Sequence, residues 1–369
     1  MPSSVIETDK SYLSERRTVS QKLELPSGSK ILVSRTDRIG DLLLAVPVAE
    51  SIKLRHPDCE VHVMASLYAS PLLENNPHID GIVRVQVDQL INNGRYRVEL
   101  QSKVAKAGFE AAVVIYPDPN ICRLLYKVGV PHRIGTSRRF HSLYFNHYVH
   151  HSRKANVQHE LVYNLDFLRF FANGPTVTQP AVHLIERDRK GAEALLSSKS
   201  VAGDFVLIHP GSGGSADRWP LEQFLKLADL LQGEKVQVVI SGSQSEAAQI
   251  GEVSRRLGVS VPTIAGDTDL RTLGAILERA RLVVSNSTGP LHLAAAVGTR
   301  VIGLYPGKRV MSPVRWGPVG TGHQVIQPTI SCRCTGKRCE CMKAIRVENV
   351  HAAVIAALNT TEHGTGQLT

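Results

Sequence analysis

The chain has 369 residues, 43% of them apolar and 21% charged, and carries a formal net charge of +10. That length accommodates two cores of ordinary size, and no apolar run approaches the roughly 20 residues of a membrane-crossing helix. The N-terminal residues lack the apolar segment of a secretion signal, so a cytosolic protein is expected. The basic excess favours an anionic partner: nucleic acid, nucleotide, phosphorylated lipid or a membrane surface.

Short β-branched runs alternate with helical patterns along the chain. Residues 31–34, 61–65, 82–85 and 111–116 read as strands, separated by helices near 42–55, 71–75 and 95–107, the pattern of a parallel sheet. A helix over 158–171, with Leu161, Leu165 and Leu168 on one face, leads into "ANGPTVTQP", whose composition predicts a linker. A second series follows, with strands at 205–209, 236–241, 281–285 and 301–305 and helices near 221–231, 246–257 and 270–280. The expected architecture is α/β: two Rossmann-like doubly wound domains facing a cleft at the carboxyl ends of their strands. In residues, this gives a loosely held N-terminus (1–25), a first domain (26–175), a second (176–345), and a C-terminal helix and tail (346–369).

Motifs cluster where such folds place ligands. "SRTDRIGDLLLAVP" follows the apolar run Ile31–Val33 and sets Asp41 beside Gly40 at the mouth of a helix. A carboxylate there is favoured by the helix dipole whether or not it does chemistry. In "VLIHPGSGGSADRWP" a strand ends at His209 and a glycine-rich turn, with Ser212 and Gly213, exposes N–H groups before a helix that Pro220 can start. Gly211, Gly213 and Ala216 match the dinucleotide pattern G-x-G-x-x-A, but the loop is too long and no ribose-binding acid ends the next strand. In "VVSNSTGPLHLAAAVGT", Ser287 and Thr288 are candidate caps, Gly289 permits close approach, and Pro290 suits the first turn. His292 falls within that turn, within reach of a phosphate oxygen.

Between Pro119 and His159 there is no acidic residue, while Arg123, Lys127, Arg133, Arg138, Arg139, Arg153 and Lys154 all lie there. An anion-binding surface is expected from this imbalance, beside the plainer reading of a solvated face. Phe140, Tyr144, Phe145 and Tyr148 interleave with the charges, so single-stranded nucleic acid also stays open. "CRCTGKRCEC" groups Cys332, Cys334, Cys339 and Cys341; the Cys-x-Cys spacing is tighter than that of most zinc sites, and structural zinc, reduced thiols and a disulfide remain alternatives.

The ordered set "RTDRIGDLLLAVP", "HPGSGGSADRWP", "SNSTGPLHLAAAVGT" and "CMKAIRVENV" resembles the ADP-heptose:lipopolysaccharide heptosyltransferases, family 9 of the glycosyltransferases, over about residues 31–350. The resemblance implies the B-type glycosyltransferase fold, with acceptor on the first domain and nucleotide-sugar on the second. It implies inverting transfer of heptose, or a related sugar, from a nucleotide diphosphate to a lipopolysaccharide core. Asp41 matches the family's catalytic base. Ser212, Gly213, Arg218, Trp219, Glu246, Ser287, Thr288, Gly289, His292 and Lys308 are the implied donor-binding set. Arg38, Arg133, Arg138 and Arg139 are the implied acceptor-binding set, facing an anionic lipid-borne core.

No cofactor or catalytic metal is implied, nor a dedicated protein partner, and the working place is the inner face of the bacterial inner membrane. Two positions depart from the family pattern. Family members often carry a donor-contacting lysine two residues before the tryptophan, where this chain has Asp217, and an aspartate where it has Ser287. Arg218 or Lys308 is expected to supply the missing cation.

Overall fold

The computed structural model describes residues 22–137, 140–171, 175–213, 217–330, 332 and 340–360. The chain divides between Ile185 and Glu186 into two compact units.

The first unit holds β1 (Lys30–Ser34), β2 (Glu60–Ser66), β3 (Gly81–Val85), β4 (Phe109–Val114), β5 (His132–Thr136) and β6 (His147–Val149). Their order is β3-β2-β1-β4-β5-β6 with every pairing parallel. A parallel sheet covered on both faces needs apolar residues at successive positions, and Ile31, Leu32 and Val33 are all buried. Leu32, Met64, Ala112 and Val114 share one core with Leu100, Val104, Ile121 and Leu125 from covering helices. The order reverses between β1 and β4, so the connections leaving these strands part to opposite faces and open a crevice at their carboxyl ends. The "RTDRIGD" segment begins there.

Two expected helices are broken. Residues 42–55 lie in two helices, Ile39–Leu43 and Val46–Arg55, because Pro47 has no N–H to give and its ring excludes the carbonyl one turn earlier. The helix read over 158–171 is a helix Glu160–Leu165 followed by a 3-10 turn Asp166–Phe170. The basic tract contributes the helix Pro119–Lys127 as well as β5 and β6. Asp118 caps that helix by accepting from the Asn120 and Ile121 N–H groups, and Pro119 fills its first position. The chain after 175 stays with the first unit: Thr176 and Val177 donate to the Ser51 hydroxyl at 3.1 and 2.9 Å. Residues 1–21 and 361–369, expected to be loosely held, lie outside the described residues; Leu23 donates to the Phe170 carbonyl at 2.9 Å.

The second unit opens with the helix Glu186–Ser198 and holds β7 (Val206–His209), β8 (Val238–Ile240), β9 (Leu282–Asn286), β10 (Val301–Leu304) and β11 (Gln324–Ile326). Their order is β11-β10-β9-β7-β8, again all parallel. This reversal falls between β7 and β9, which brings the loops after those two strands side by side. The terminal helix Val347–Asn359 inserts Val350, Val354 and Ala357 into a core with Phe224 and Leu231 of the helix Leu221–Gly233. Among the described residues no helix is long and apolar enough to cross a membrane.

Candidate active site

In the first unit, β1 runs into Arg35 and the turn that starts the helix Ile39–Leu43, with Arg38 at its N-cap and Asp41 in its first turn. Arg35 is buried, and its guanidinium faces three carboxylates. It donates to Asp37 from Nε at 2.7 Å and Nη2 at 3.0 Å, to Asp41 from Nη2, and to Glu160 Oε1 from Nη1 at 3.3 Å. Glu160, at the start of its own helix, accepts a second bond from Arg153 Nε at 3.1 Å. The Tyr116 ring lies 6.0 Å from the Arg35 guanidinium carbon. Burial works against the Arg35 charge, yet the three carboxylates hold its pKa above the ordinary value.

The Asp41 side chain keeps 15% exposure. Burial raises its carboxyl, and Asp37 and Glu160 add to the rise. Arg35 and Arg38 pull it back, leaving it at about 6. A carboxyl poised there is ionised at neutral pH and still basic enough to take a proton from a hydroxyl in flight.

Of the four arginines expected at the acceptor, Arg38 is exposed next to Asp41. Arg133 turns inward: it donates to the Tyr144 carbonyl at 2.7 Å, the Pro131 carbonyl at 3.4 Å and the Val130 carbonyl, and lies 5.4 Å from the Tyr126 ring centre. Arg138 and Arg139 lie outside the described residues.

In the second unit a cavity of about 950 Å³ opens at the end of β7, with Ser212, Gly213, Arg218, Trp219 and Glu246 among its lining residues. Glu246 reaches back to the Ser243 N–H at 2.9 Å, half of a capping box, and also accepts from the Ser243 hydroxyl and the Ser212 N–H. Burial opposes its charge, but these donors hold its carboxyl below the ordinary range. A Cβ on Gly211 would run into the Glu246 carboxylate, so any larger residue there would displace the end of that side chain. His209, whose Nδ1 lies 2.9 Å from the Ser241 hydroxyl, is lowered by burial to about 4 and stays neutral at pH 7.

Asn286 joins the two adjacent loops. Its carbonyl oxygen accepts from the Trp219 N–H at 2.9 Å, and its amide donates to the Pro210 carbonyl at 2.8 Å. Trp219 is only 1% exposed, and its indole donates to the Ile345 carbonyl at 2.9 Å. The late "CMKAIRVENV" segment therefore braces the glycine-rich loop.

Ser287, Thr288, Gly289 and His292 follow β9 and stand outside the cavity lining. Thr288 takes the N-cap position of the helix Gly289–Ala296 but makes no capping side-chain bond, contrary to the expected cap. Its hydroxyl turns back to the Asn286 carbonyl at 3.3 Å. Ser287 bonds the Tyr305 hydroxyl, which donates to the Trp316 carbonyl at 2.6 Å. Lys308, from the loop after β10, pairs with Asp217, which does line the cavity, at 2.7 Å. Arg35, Glu160 and Asn286 were not evident as site residues in the sequence. The tight spacing of Arg35, Asp37 and Asp41 was the available signal for the first.

Of the cysteine cluster, Cys334 and Cys339 lie outside the described residues. Cys332 and Cys341 both approach Gly307: its N–H donates to Cys341 Sγ at 3.3 Å, and a Cβ built on it would stand 2.9 Å from the Cys332 Cβ. No group of three or more metal-ligating side chains is found among the described residues.

Two Rossmann-like units, each with a switch point at the carboxyl ends of its strands, have the fold of the B-type glycosyltransferases. Residues 102–345 match the model of glycosyltransferase family 9 (heptosyltransferase), and the chain belongs to that family. It is 26% identical over 274 residues to lipopolysaccharide heptosyltransferase 3 of Escherichia coli K12, spanning 72% of this chain and 79% of that protein. In fold it is similar to a glycosyl transferase family 9 structure from Veillonella parvula, with TM-score 0.81, 20% identity, and coverage of 92% and 99% of the two chains. It is also similar to the E. coli ADP-heptose lps heptosyltransferase II, with TM-score 0.72, 21% identity, and coverage of 89% and 98%.

Proposed function

We propose that this glycosyltransferase moves a heptose, or a closely related sugar, from ADP-heptose to a lipopolysaccharide core acceptor with inversion at the anomeric carbon. The observation that carries the reading is the Asp41 carboxyl, held on Arg35 in the first turn of a helix with a pKa near 6. Asp41 takes the proton of an acceptor hydroxyl as that oxygen attacks the anomeric carbon. The bond from that carbon to the diphosphate oxygen breaks, and ADP leaves with the electron pair. Arg38, with Arg138 and Arg139 of the basic tract, is assigned to the anionic acceptor.

The donor is assigned to the second unit. The cavity with Ser212, Gly213, Arg218, Trp219 and Glu246 takes the nucleotide. Ser287, Thr288, Gly289 and His292, at the start of the neighbouring helix, face the diphosphate, where N–H groups and the helix dipole stabilise departing charge. Lys308 supplies a cation beside Asp217. No metal is assigned a role in the transfer, and a lipid-borne acceptor sets the reaction at the inner face of the inner membrane. A screen of ADP-, UDP- and GDP-sugars for binding and turnover tests the reading. Turnover of ADP-heptose onto a heptose-deficient core supports it; preference for a UDP- or GDP-sugar overturns the donor assignment.

A further inference from the structure

We infer that the 3-10 turn Phe140–Tyr144 is a membrane-docking element that sets Phe140 and Leu143 into an anionic phospholipid surface. Phe140 is 83% and Leu143 74% exposed, and no residue of the turn is buried. Single exposed apolar side chains are ordinary. These two are three residues apart in a 3-10 turn, where positions i and i+3 eclipse, so they project from one side as a pair.

The pair stands on a firm base. Arg133 Nε donates to the Tyr144 carbonyl at 2.7 Å, and the Phe145 N–H donates to the Ser142 carbonyl at 3.0 Å. Phe145 is buried so tightly on β5 that a Cβ on Gly135 would overlap its ring at 2.1 Å. The Tyr148 hydroxyl donates to the Phe145 carbonyl at 2.8 Å. A turn pinned at its C-terminal end loses less conformational freedom when its tip enters another phase.

Charge chooses the partner. The exposed face of the helix Pro119–Lys127 carries Arg123, Tyr126 and Lys127, and the Tyr126 ring packs 5.6 Å from that of Tyr144. The apolar pair therefore adjoins a basic, tyrosine-bearing face, and Arg138 and Arg139 directly precede Phe140 in a tract without one acidic residue. Apolar tips beside cations and amphipathic rings suit the headgroup boundary of an anionic bilayer, where area burial and electrostatic attraction add.

This inference rests on the proposed function only in that a lipid-borne acceptor obliges the protein to reach a bilayer, and its test is independent of turnover. Phe140→Ser with Leu143→Ser is compared with the parent protein in flotation with phosphatidylcholine vesicles, with and without phosphatidylglycerol. The parent is expected to bind only the anionic vesicles, and the double variant to lose about tenfold or more in partitioning, with ADP affinity unchanged. In a Phe140→Trp variant the added emission is expected to shift to the blue and to be quenched by brominated lipid. Equal partitioning of double variant and parent overturns the inference. So does loss of single-stranded RNA binding with vesicle binding intact, which would make the face a nucleic-acid surface. Vesicle binding without transfer from any nucleotide-sugar would retain the docking element and reject the proposed function.

Discussion

Lys308 crosses from the loop after β10 to stand 2.7 Å from the Asp217 carboxylate, both side chains under 10% exposed. Where the family pattern has a lysine two residues before the tryptophan, this chain has an acid with the cation delivered onto it from another loop. Asp217→Asn is expected to remove an acid from the cavity wall and tighten ADP binding by about 1 kcal/mol at a partly screened site. Lys308→Met is expected to weaken ADP binding and, by removing a cation from beside a buried carboxylate, to lower the melting temperature. Calorimetry with ADP and thermal unfolding of both variants check this; ADP affinities moving in the opposite directions would reject the assignment.

Asp41→Asn keeps the shape of the first-turn side chain but cannot accept the acceptor proton. Turnover is expected to fall by about two to four powers of ten, with donor affinity little changed. Near-normal turnover would remove Asp41 from the role of base.

The pH profile tests the environment of that base. With Asp41 at about 6, kcat/KM for transfer is expected to fall as pH drops through about 6, because protonation removes the basic form. Glu160, held by Arg35 and Arg153, is one of the charges that raise Asp41. Glu160→Gln should therefore move the acid limb to lower pH, whereas a purely structural role would lower the plateau and leave the midpoint in place.

At the donor site, His292→Ala and Arg218→Ala are each expected to weaken ADP binding by about 1.5 to 3 kcal/mol if a charge-assisted bond is lost. Unchanged affinity in both would relocate the diphosphate. Activity is expected to survive EDTA, and complete loss restored by added Mg²⁺ would contradict departure of ADP without a metal.

The central strands were legible because each is a short aliphatic run buried on both faces, as at Ile31–Val33 and Val206–Ile208. β11 was not, since its three residues are largely outside the core and leave no apolar run to read. β5 and β6 were obscured by the histidines and arginines of the basic tract. Asp41 and the two glycine-bearing turns could be placed at strand ends from local signals alone. Their supports could not: Glu160 is 125 residues from Arg35, and Asn286 is 67 from Trp219. Such partners depend on strand order, which local periodicity does not encode.

The bond from the Trp219 indole to the Ile345 carbonyl, together with the packing of Val350 and Val354 behind it, has a consequence for the order in which the protein is made. Domains generally fold from the N-terminal side during synthesis, and the first unit has all its strands by Val149. The loop assigned to the nucleotide gains its brace only from a carbonyl 126 residues further along the chain. Nascent chains would thus fold the first unit early, while the loop assigned to the donor stays unbraced until the segment around Ile345 has been made.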